Sequence, residues 1–282
     1  MYTDPPGPRE DDPAHSLLAE QHGFAYRSLL GEILFAYVLC RPDIGYAVTT
    51  LAKFSTAPNP LHYKSLKHLA IYLRQTIDWG IIYWHPSPNS SLPDIPFICV
   101  IPDPSLPRIP TSLSYFHLIV YVDAAYANEL KERRSTTGYA ICMAGGVVVY
   151  RSKTQPICAQ SSSESELVAA NASAKPTKYL RFVLDDLSYP QTDPTEIYED
   201  NESTEKIVNH NIPTERSRHI EIRYFALQHW RVLGDIIMKH IPGIINPADM
   251  LTKALGWVLN YRHSRFMMGH HGFQPSPSSP SV

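Results

Sequence analysis

The chain has 282 residues, long enough to bury one large core or two small ones. Its 25 basic side chains are balanced by 27 acidic ones, for a formal net charge of -2, so any nucleic-acid partner has to be held by local basic patches. The four cysteines are scattered and form no C-x-x-C pair, which argues against a disulfide framework or a thiolate zinc site, and the longest apolar run, Ile33 to Cys40, is too short to cross a bilayer.

Residues 1–15 are acidic and proline-rich, unlike a signal peptide, and are expected to be a disordered leader of an intracellular protein. From Ser16 to residue 84 the apolar spacing is helical. Leu29, Ile33, Ala36, Tyr37 and Cys40 share a face until Arg41-Pro42-Asp43 stops the run. Ile44, Val48, Leu51 and Phe54 mark a second short helix, and His62 to Gln75 a third. The third buries Leu66, Leu69, Ala70 and Leu73 and turns Lys64, Lys67, His68 and Arg74 outward. That basic face reads either as solvated surface or as a phosphate contact. Residues 85–115 hold eight prolines, a density no helix survives, and form a linker.

Phe116 to Asp123, FHLIVYVD, reads as a buried strand ending in a carboxylate at the sheet rim. After a polar, basic stretch, Tyr139–Met143 and Val147–Tyr150 flank Gly145-Gly146 as a hairpin, giving a three-stranded antiparallel meander. The serines at 161–163 open a helix that runs to Ala174 and stops at Lys175-Pro176; a second helix covers Pro176 to Leu187. Within the first, Glu166 shares a face with Ala169, Ala170 and Ser173, small residues that let a helix sit close on a sheet. This makes Glu166, rather than Glu164, the inward carboxylate. Glu196–Asp200 is a strand ending at an Asp. A helix follows from Asn201 to His210, a longer one from Arg218 to Leu233, and a last strand from Asp235 to Ile241. Asn246, as N-cap, opens a final helix carrying Asp249, and from Trp257 the chain becomes a Ser/Pro-rich tail, 257–282.

Four acids therefore stand at matched element ends: Asp123 and Asp200 on strands, Glu166 and Asp249 on helices. Gathered alone they would repel and raise each other's pKa values. Two divalent cations about 3.5–4 Å apart would relieve that repulsion and clamp the attacking and leaving oxygens of an in-line phosphodiester cleavage. All-oxygen ligands favour Mg²⁺ or Mn²⁺.

YVDAAYANELKERRSTTGYAI, SKTQPICAQSSSESELVAA, YEDNESTEKIVNH, RSRHIEIRYFALQHW and IINPADMLTKAL resemble, in that order, the ribonuclease H domain of copia-type retrotransposon Pol polyproteins. The stretch from Ala25 to Trp84 resembles the segment following the reverse-transcriptase palm in those polyproteins. The resemblance implies an α/β fold: a ribonuclease H-like five-stranded mixed sheet flanked by helices over 116–256, preceded by a small helical connection segment over 16–84. It implies Mg²⁺- or Mn²⁺-dependent hydrolysis of the RNA strand of an RNA–DNA hybrid, with Asp123, Glu166, Asp200 and Asp249 holding two ions. On that reading Arg133, Arg134, Arg216 and Arg218 meet phosphates, and His219 touches substrate or packs.

The expected partners are the hybrid, the palm and other Pol or Gag components, but no membrane; the expected location is a cytoplasmic virus-like particle or the nucleus. Three features depart from the family. The polymerase turn Tyr-x-Asp-Asp is missing, since Ala124 follows Asp123, so no DNA polymerisation is expected. The loop from Pro242 to Pro247 lacks the mobile His of cellular ribonucleases H, leaving His240 as the nearest. Ala125-Tyr126 replaces Asp-Trp. The alternative to a nuclease is a non-catalytic nucleic-acid-binding remnant of a decayed element.

Overall fold

Ile119, Val120, Tyr121 and Val122, consecutive apolar residues all buried, make the central strand of the protein. The computed structural model describes residues 5–9, 11–84, 107–111, 116–129, 132–210 and 225–270. Strand β1 (Ile119–Ala125) pairs antiparallel with β2 (Thr136–Met143), which pairs antiparallel with β3 (Gly146–Thr154). On its other side β1 pairs parallel with β4 (Thr195–Glu199), and β4 pairs parallel with β5 (Ile236–His240). The sheet order β3-β2-β1-β4-β5 is the expected five-stranded mixed sheet. The meander turns through Ala144 and Gly145, both with positive φ, the backbone that a tight two-residue hairpin requires.

The two faces of β1 serve different layers. Val120 and Val122 join Leu167, Ala169, Ala170 and Ala174 under the long helix, while Ile119 and Tyr121 join Leu251, Phe266 and Met267 on the opposite face. Each fully buried aliphatic side chain contributes about 1.5–3 kcal/mol, which fixes the strand and hence the direction of its terminal carboxylate.

On the N-terminal side, helices α1 (Pro13–His22), α2 (Tyr26–Leu39), α3 (Gly45–Ala52) and α4 (Pro60–Gln75) enclose Tyr26, Leu30, Ile33, Val48, Tyr63 and Leu66. Arg41-Pro42-Asp43, read as a helix stop, is also a lock. Arg41 donates to both Asp43 oxygens at 2.9 and 2.7 Å and to the Thr76 carbonyl at 3.0 Å, and Tyr72 of α4 donates to Asp43 at 2.7 Å. The segment is joined to the outer strand: Ser152 N–H donates to the Tyr37 hydroxyl at 3.0 Å, Tyr150 donates to the Tyr37 carbonyl, and the Thr49 and Ser152 hydroxyls lie 3.2 Å apart.

Four sequence expectations are corrected. The leader is ordered where described: Asp12 caps Ala14 N–H at 2.9 Å with Pro13 at the first helical position, and Asn59 donates to the Pro5 carbonyl at 2.8 Å. The break at Pro176 is absent, because α5 runs unbroken from Ser162 to Asp186 with Pro176 inside it. A proline there removes one helical hydrogen bond, but Ala170, Ala174 and Leu184 on either side of it are buried against the sheet, and Thr177 Oγ1 donates to the Ser173 carbonyl at 2.8 Å. The final helix at Asn246 is instead a 3-10 turn, Pro247–Leu251.

The fourth concerns the tail from Trp257, which begins with a helix of its own. We number α6 (Glu202–His210) and α7 (Phe225–Val232), so this is α8 (Trp257–Met267). It buries Phe266 and Met267, and just beyond it Trp84 Nε1 donates to the Gly269 carbonyl and Ile82 N–H to that of Met268, both at 2.8 Å. Most of the proline-rich linker, the proposed helix start at Arg218 and the chain from residue 271 lie outside the described residues. Among the described residues no helix is long and apolar enough to cross a membrane.

Candidate active site

Asp123 is the fifth residue of β1, and two glycine-dependent approaches build the site around it. It pairs across the ladder with Gly138 of β2. A Cβ on Gly138 would stand 2.6 Å from Thr252 Cγ2, 2.8 Å from Leu251 Cβ and 3.0 Å from the Ala248 carbonyl oxygen, so the missing side chain is what lets the 247–251 turn lie against the sheet. Asn246 fixes that turn. Fully buried, it donates through Nδ2 to the Val122 carbonyl at 2.8 Å and accepts from Ala248 N–H at 3.1 Å. Asp249 is thereby delivered beside Asp123. Asp200 follows the last residue of β4, and a Cβ on Gly243 would stand 2.7 Å from its Oδ2.

The result is a triangle in which one carboxylate oxygen each from Asp123, Asp200 and Asp249 lies within 4.8 Å of the others. Asp123 and Asp249 are buried, and Asp200 is half-exposed. Thr252 Oγ1 donates to Asp123 Oδ2, and Lys253 Nζ stands 2.9 Å from Asp249 Oδ1. Burial first, and then the Asp123 charge, push the Asp249 carboxyl up to about 7 against the pull of Lys253. Asp200 is raised for the same two reasons. Burial pulls the Lys253 ammonium down, but Asp123, Asp249 and Asp200 together outweigh it and hold the group above its ordinary value.

Glu166 stands outside that triangle, yet it is the inward carboxylate of α5. It is 5% exposed, one of its oxygens has no hydrogen-bond partner, and its carboxyl is driven well above the usual range by burial and then by Glu199, Asp123 and Asp200. Glu164 is spent on the helix start: its N–H donates to Ser161 Oγ at 3.1 Å and its carboxylate accepts from Gln160 N–H at 2.7 Å. The capping reading absorbs Glu164 and leaves Glu166 free for the site.

The sequence reading missed a fifth acid. Glu199, at the end of β4, is fully buried and neither oxygen has a hydrogen-bond partner. Burial pushes its carboxyl well up. The nearby Thr204 hydroxyl eases this in part although it donates to the Ser163 carbonyl at 3.4 Å, and the Asp200 and Asp123 charges add to the rise. The alternation of β4 hides it: Glu199 shares its face with Ile197 of the α5 layer, where an apolar residue is the ordinary occupant.

No family model matches the chain. The retrovirus-related Pol polyprotein from transposon TNT 1-94 of Nicotiana tabacum is 29% identical over 234 residues, covering 82% of this chain and 15% of that protein. That from transposon RE2 of Arabidopsis thaliana is 25% identical over 240 residues, 85% of this chain and 15% of that protein. Over most of its length the chain is similar to retrovirus-related Pol polyproteins of plant transposons.

The chain spans about 15% of the length of the Pol polyproteins it matches. It is also 30% identical over 155 residues to a Plasmopara viticola protein named Secreted RxLR effector protein 161, covering 55% of this chain and 90% of that one. Among solved structures it is similar to LC11-RNase H1 isolated from compost, at 17% identity and a TM-score of 0.37, over 48% of this chain and 92% of that one. It is also similar to RNase H1 of the archaeon Halobacterium salinarum NRC-1, at 21% identity and a TM-score of 0.34, over 48% and 94%.

The remaining expected site residues fall in two groups. Arg133 and Arg134 lie on the β1–β2 connection; Arg134 Nε is 2.9 Å from Glu132, and Arg133 has a positive φ of 54°. Arg216, Arg218 and His219 lie outside the described residues. His240 is exposed, with Nε2 3.2 Å from the Asp200 carbonyl oxygen, at the edge of the acidic triangle.

Proposed function

We propose that this site hydrolyses the RNA strand of an RNA–DNA hybrid, using two divalent cations, Mg²⁺ or Mn²⁺, held by Asp123, Glu166, Asp200 and Asp249. One observation carries the reading: three carboxylates from β1, the end of β4 and the turn before α8 meet within 4.8 Å, with a buried Glu166 beside them. Buried like charges at that spacing are costly unless they are neutralised. One lysine, Lys253, reaches Asp249, and it cannot balance four or five acids.

The donor set is all oxygen, and Glu166 and Glu199 keep buried oxygens that nothing in the protein satisfies, so the residues suit a hard divalent cation. When bound, such ions supply the charge that stabilises an attacking and a leaving phosphate oxygen. The chain's own groups do the rest. Asn246 and Thr252 orient the Asp249 turn and Asp123, Lys253 offsets part of the remaining charge, and Arg133, Arg134, Arg216, Arg218 and His219 line up the phosphate strand. His240, with Nε2 3.2 Å from the Asp200 carbonyl oxygen, stands at the rim as a group able to pass a proton. The hybrid and other Pol components are the partners of this reading, and it makes no use of a membrane.

The test is cleavage of an end-labelled RNA–DNA hybrid with Mg²⁺ by the full chain and by Asp123→Asn. The intact protein is expected to cut only the RNA strand and the variant to lose at least about a hundredfold in rate, the order expected when metal-held charge stabilisation is removed. Equal cleavage by the two proteins retires the reading. A non-catalytic module is the second reading, favoured by the 30% identity to a protein whose name is that of an effector; it predicts hybrid binding with no cleavage by either protein.

A further inference from the structure

Helix α4 carries a charge pattern that its fold does not use. Its sixteen residues, PLHYKSLKHLAIYLRQ, include no Asp or Glu. At 100° per residue, Lys64, Lys67, His68, Ile71 and Arg74 fall on one stripe, all of them exposed, opposite the buried Leu66 and Leu69. Solvated helix faces mix signs and gain from i,i+4 pairs of opposite charge, whereas like charges at these spacings destabilise the helix slightly. Among the described residues Lys64, Lys67 and Arg74 make no ion pair, in a chain whose acids outnumber its Lys and Arg.

The stripe is also held in a fixed place relative to the acidic site. The Arg41–Asp43–Tyr72 lock ties α4 to α2. A Cβ on Gly45, at the start of α3, would meet Leu251 Cδ2 at 3.0 Å, so α3 rests on the turn that presents Asp249. At the other end of α3, Lys53 interacts with Glu129 on the β1–β2 connection, and Phe54 stacks on His62 of α4 at 3.8 Å between ring centroids. Arg133 and Arg134 belong to that same connection, so α3 packs against the helix bearing one set of cations and ends within charge range of the connection bearing the other.

We propose that the α4 stripe, Lys64, Lys67, His68 and Arg74, binds the phosphate backbone of a nucleic-acid duplex whose cleaved strand lies in the acidic site. The partner follows from the geometry of the charges. Ten residues of helix rise roughly 15 Å, which matches about four phosphates of one strand at 3.4 Å per step. Lys and Arg heads on an exposed helix face suit phosphate oxygens, the contact that positions a duplex without reading its sequence. This inference rests on the nuclease reading for the identity of the duplex, though not for the existence of the contact.

The test is fluorescence anisotropy with a labelled 20-bp RNA–DNA hybrid in EDTA, comparing the full chain with Lys64→Gln/Lys67→Gln/Arg74→Gln over a range of salt. Gln keeps the helix propensity. Each neutralised phosphate contact adds about 0.9 to the slope of log K against log[salt], so the triple variant is expected to lose roughly 2–3 of that slope and to bind at least about tenfold more weakly at 0.1 M salt. Cleavage by the variant at saturating hybrid is expected to keep its rate, with the loss confined to KM.

An unchanged slope overturns the proposal, as does failure of the full chain to bind the hybrid even at low salt. So does a stripe-dependent affinity for anionic lipid vesicles without one for the hybrid. If the triple variant does not fold, Lys67→Gln alone carries the test, with an expected slope change of about 0.9. Stripe-dependent binding without any metal-dependent cleavage leaves this inference standing and removes the nuclease reading, so the two fail separately.

Discussion

Asp249 shows how single residues set the pH behaviour of the site. Its carboxyl is pushed up to about 7 from an ordinary 3.8. A group that holds its proton more tightly when folded contributes stability at acid pH and loses it as pH rises through its folded value, here between about 4 and 7. Divalent cations bind the deprotonated carboxylates, so the gain in Tm on adding Mg²⁺ is expected to be small at pH 5 and to grow to pH 8. The difference with and without metal is the right quantity, because His263, held down to about 3 by burial and nearby cations, bends the metal-free curve the opposite way. Asp249→Asn is expected to raise the metal-free Tm at pH 8 while abolishing the Mg²⁺-induced gain; thermal melts in EDTA and in Mg²⁺ measure both. At this scale the sequence was readable where an element end announced an acid: Asp123, Asp200, Asp249, and Glu166 against Glu164. It was silent on Glu199, whose burial depends on how β4 sits beneath α5, and on Lys253 and Thr252, which need the turn to be placed before they have neighbours.

Elements matter here mainly for how closely they approach one another. Gly138 lies inside a strand pattern, TTGYA, where a glycine signals close backbone approach, and the approaching object is the Asp249 turn. Gly138→Ala would bring a Cβ to 2.6 Å from Thr252 and 3.0 Å from the Ala248 carbonyl oxygen, so the turn must shift. A cost of about 1–3 kcal/mol in stability is expected from such overpacking, together with weaker Mg²⁺ affinity, by denaturant melts and calorimetric titration. Asn246→Ala removes the bond to Val122 and the cap on Ala248, at about 1–3 kcal/mol, and leaves the Val122 carbonyl unsatisfied. The Asn246 cap was legible from the Asn-Pro-Ala-Asp pattern; that the capped element is a 3-10 turn was not. The turn closes through Thr252 and the sheet, both beyond the reach of local propensity. Pro176 misled for the related reason that packing along α5 outweighs one lost backbone bond.

For the molecule as a whole, the helical segment of α1–α4 and the sheet share one framework. Tyr37 reaches across from α2 to serve Ser152 N–H and Tyr150, covering part of an outer strand that would otherwise present unpaired groups. Tyr37→Phe, which deletes the acceptor of the Ser152 N–H, is expected to lower stability by about 1–3 kcal/mol without altering Mg²⁺ affinity, since the hydroxyl bonds to β3, two strands away from Asp123. The order of the strands was readable from periodicity and turn residues, while their arrangement in a five-stranded mixed sheet was implied by the resemblance to ribonuclease H domains. The join was not: besides the Tyr37 and Thr49 contacts with β3 it uses Trp84, Ile82 and the 268–269 backbone, from stretches that read as a linker border and a tail. On the proposed reading, separate elements deliver Asp123, Glu166, Asp200 and Asp249 to one divalent-cation site. Calorimetric titration of Mn²⁺ into the full chain at pH 8 measures whether they do. Two bound ions per chain are expected, falling to one or none in Asp123→Asn and in Glu166→Gln, whereas identical isotherms from the three proteins would contradict it.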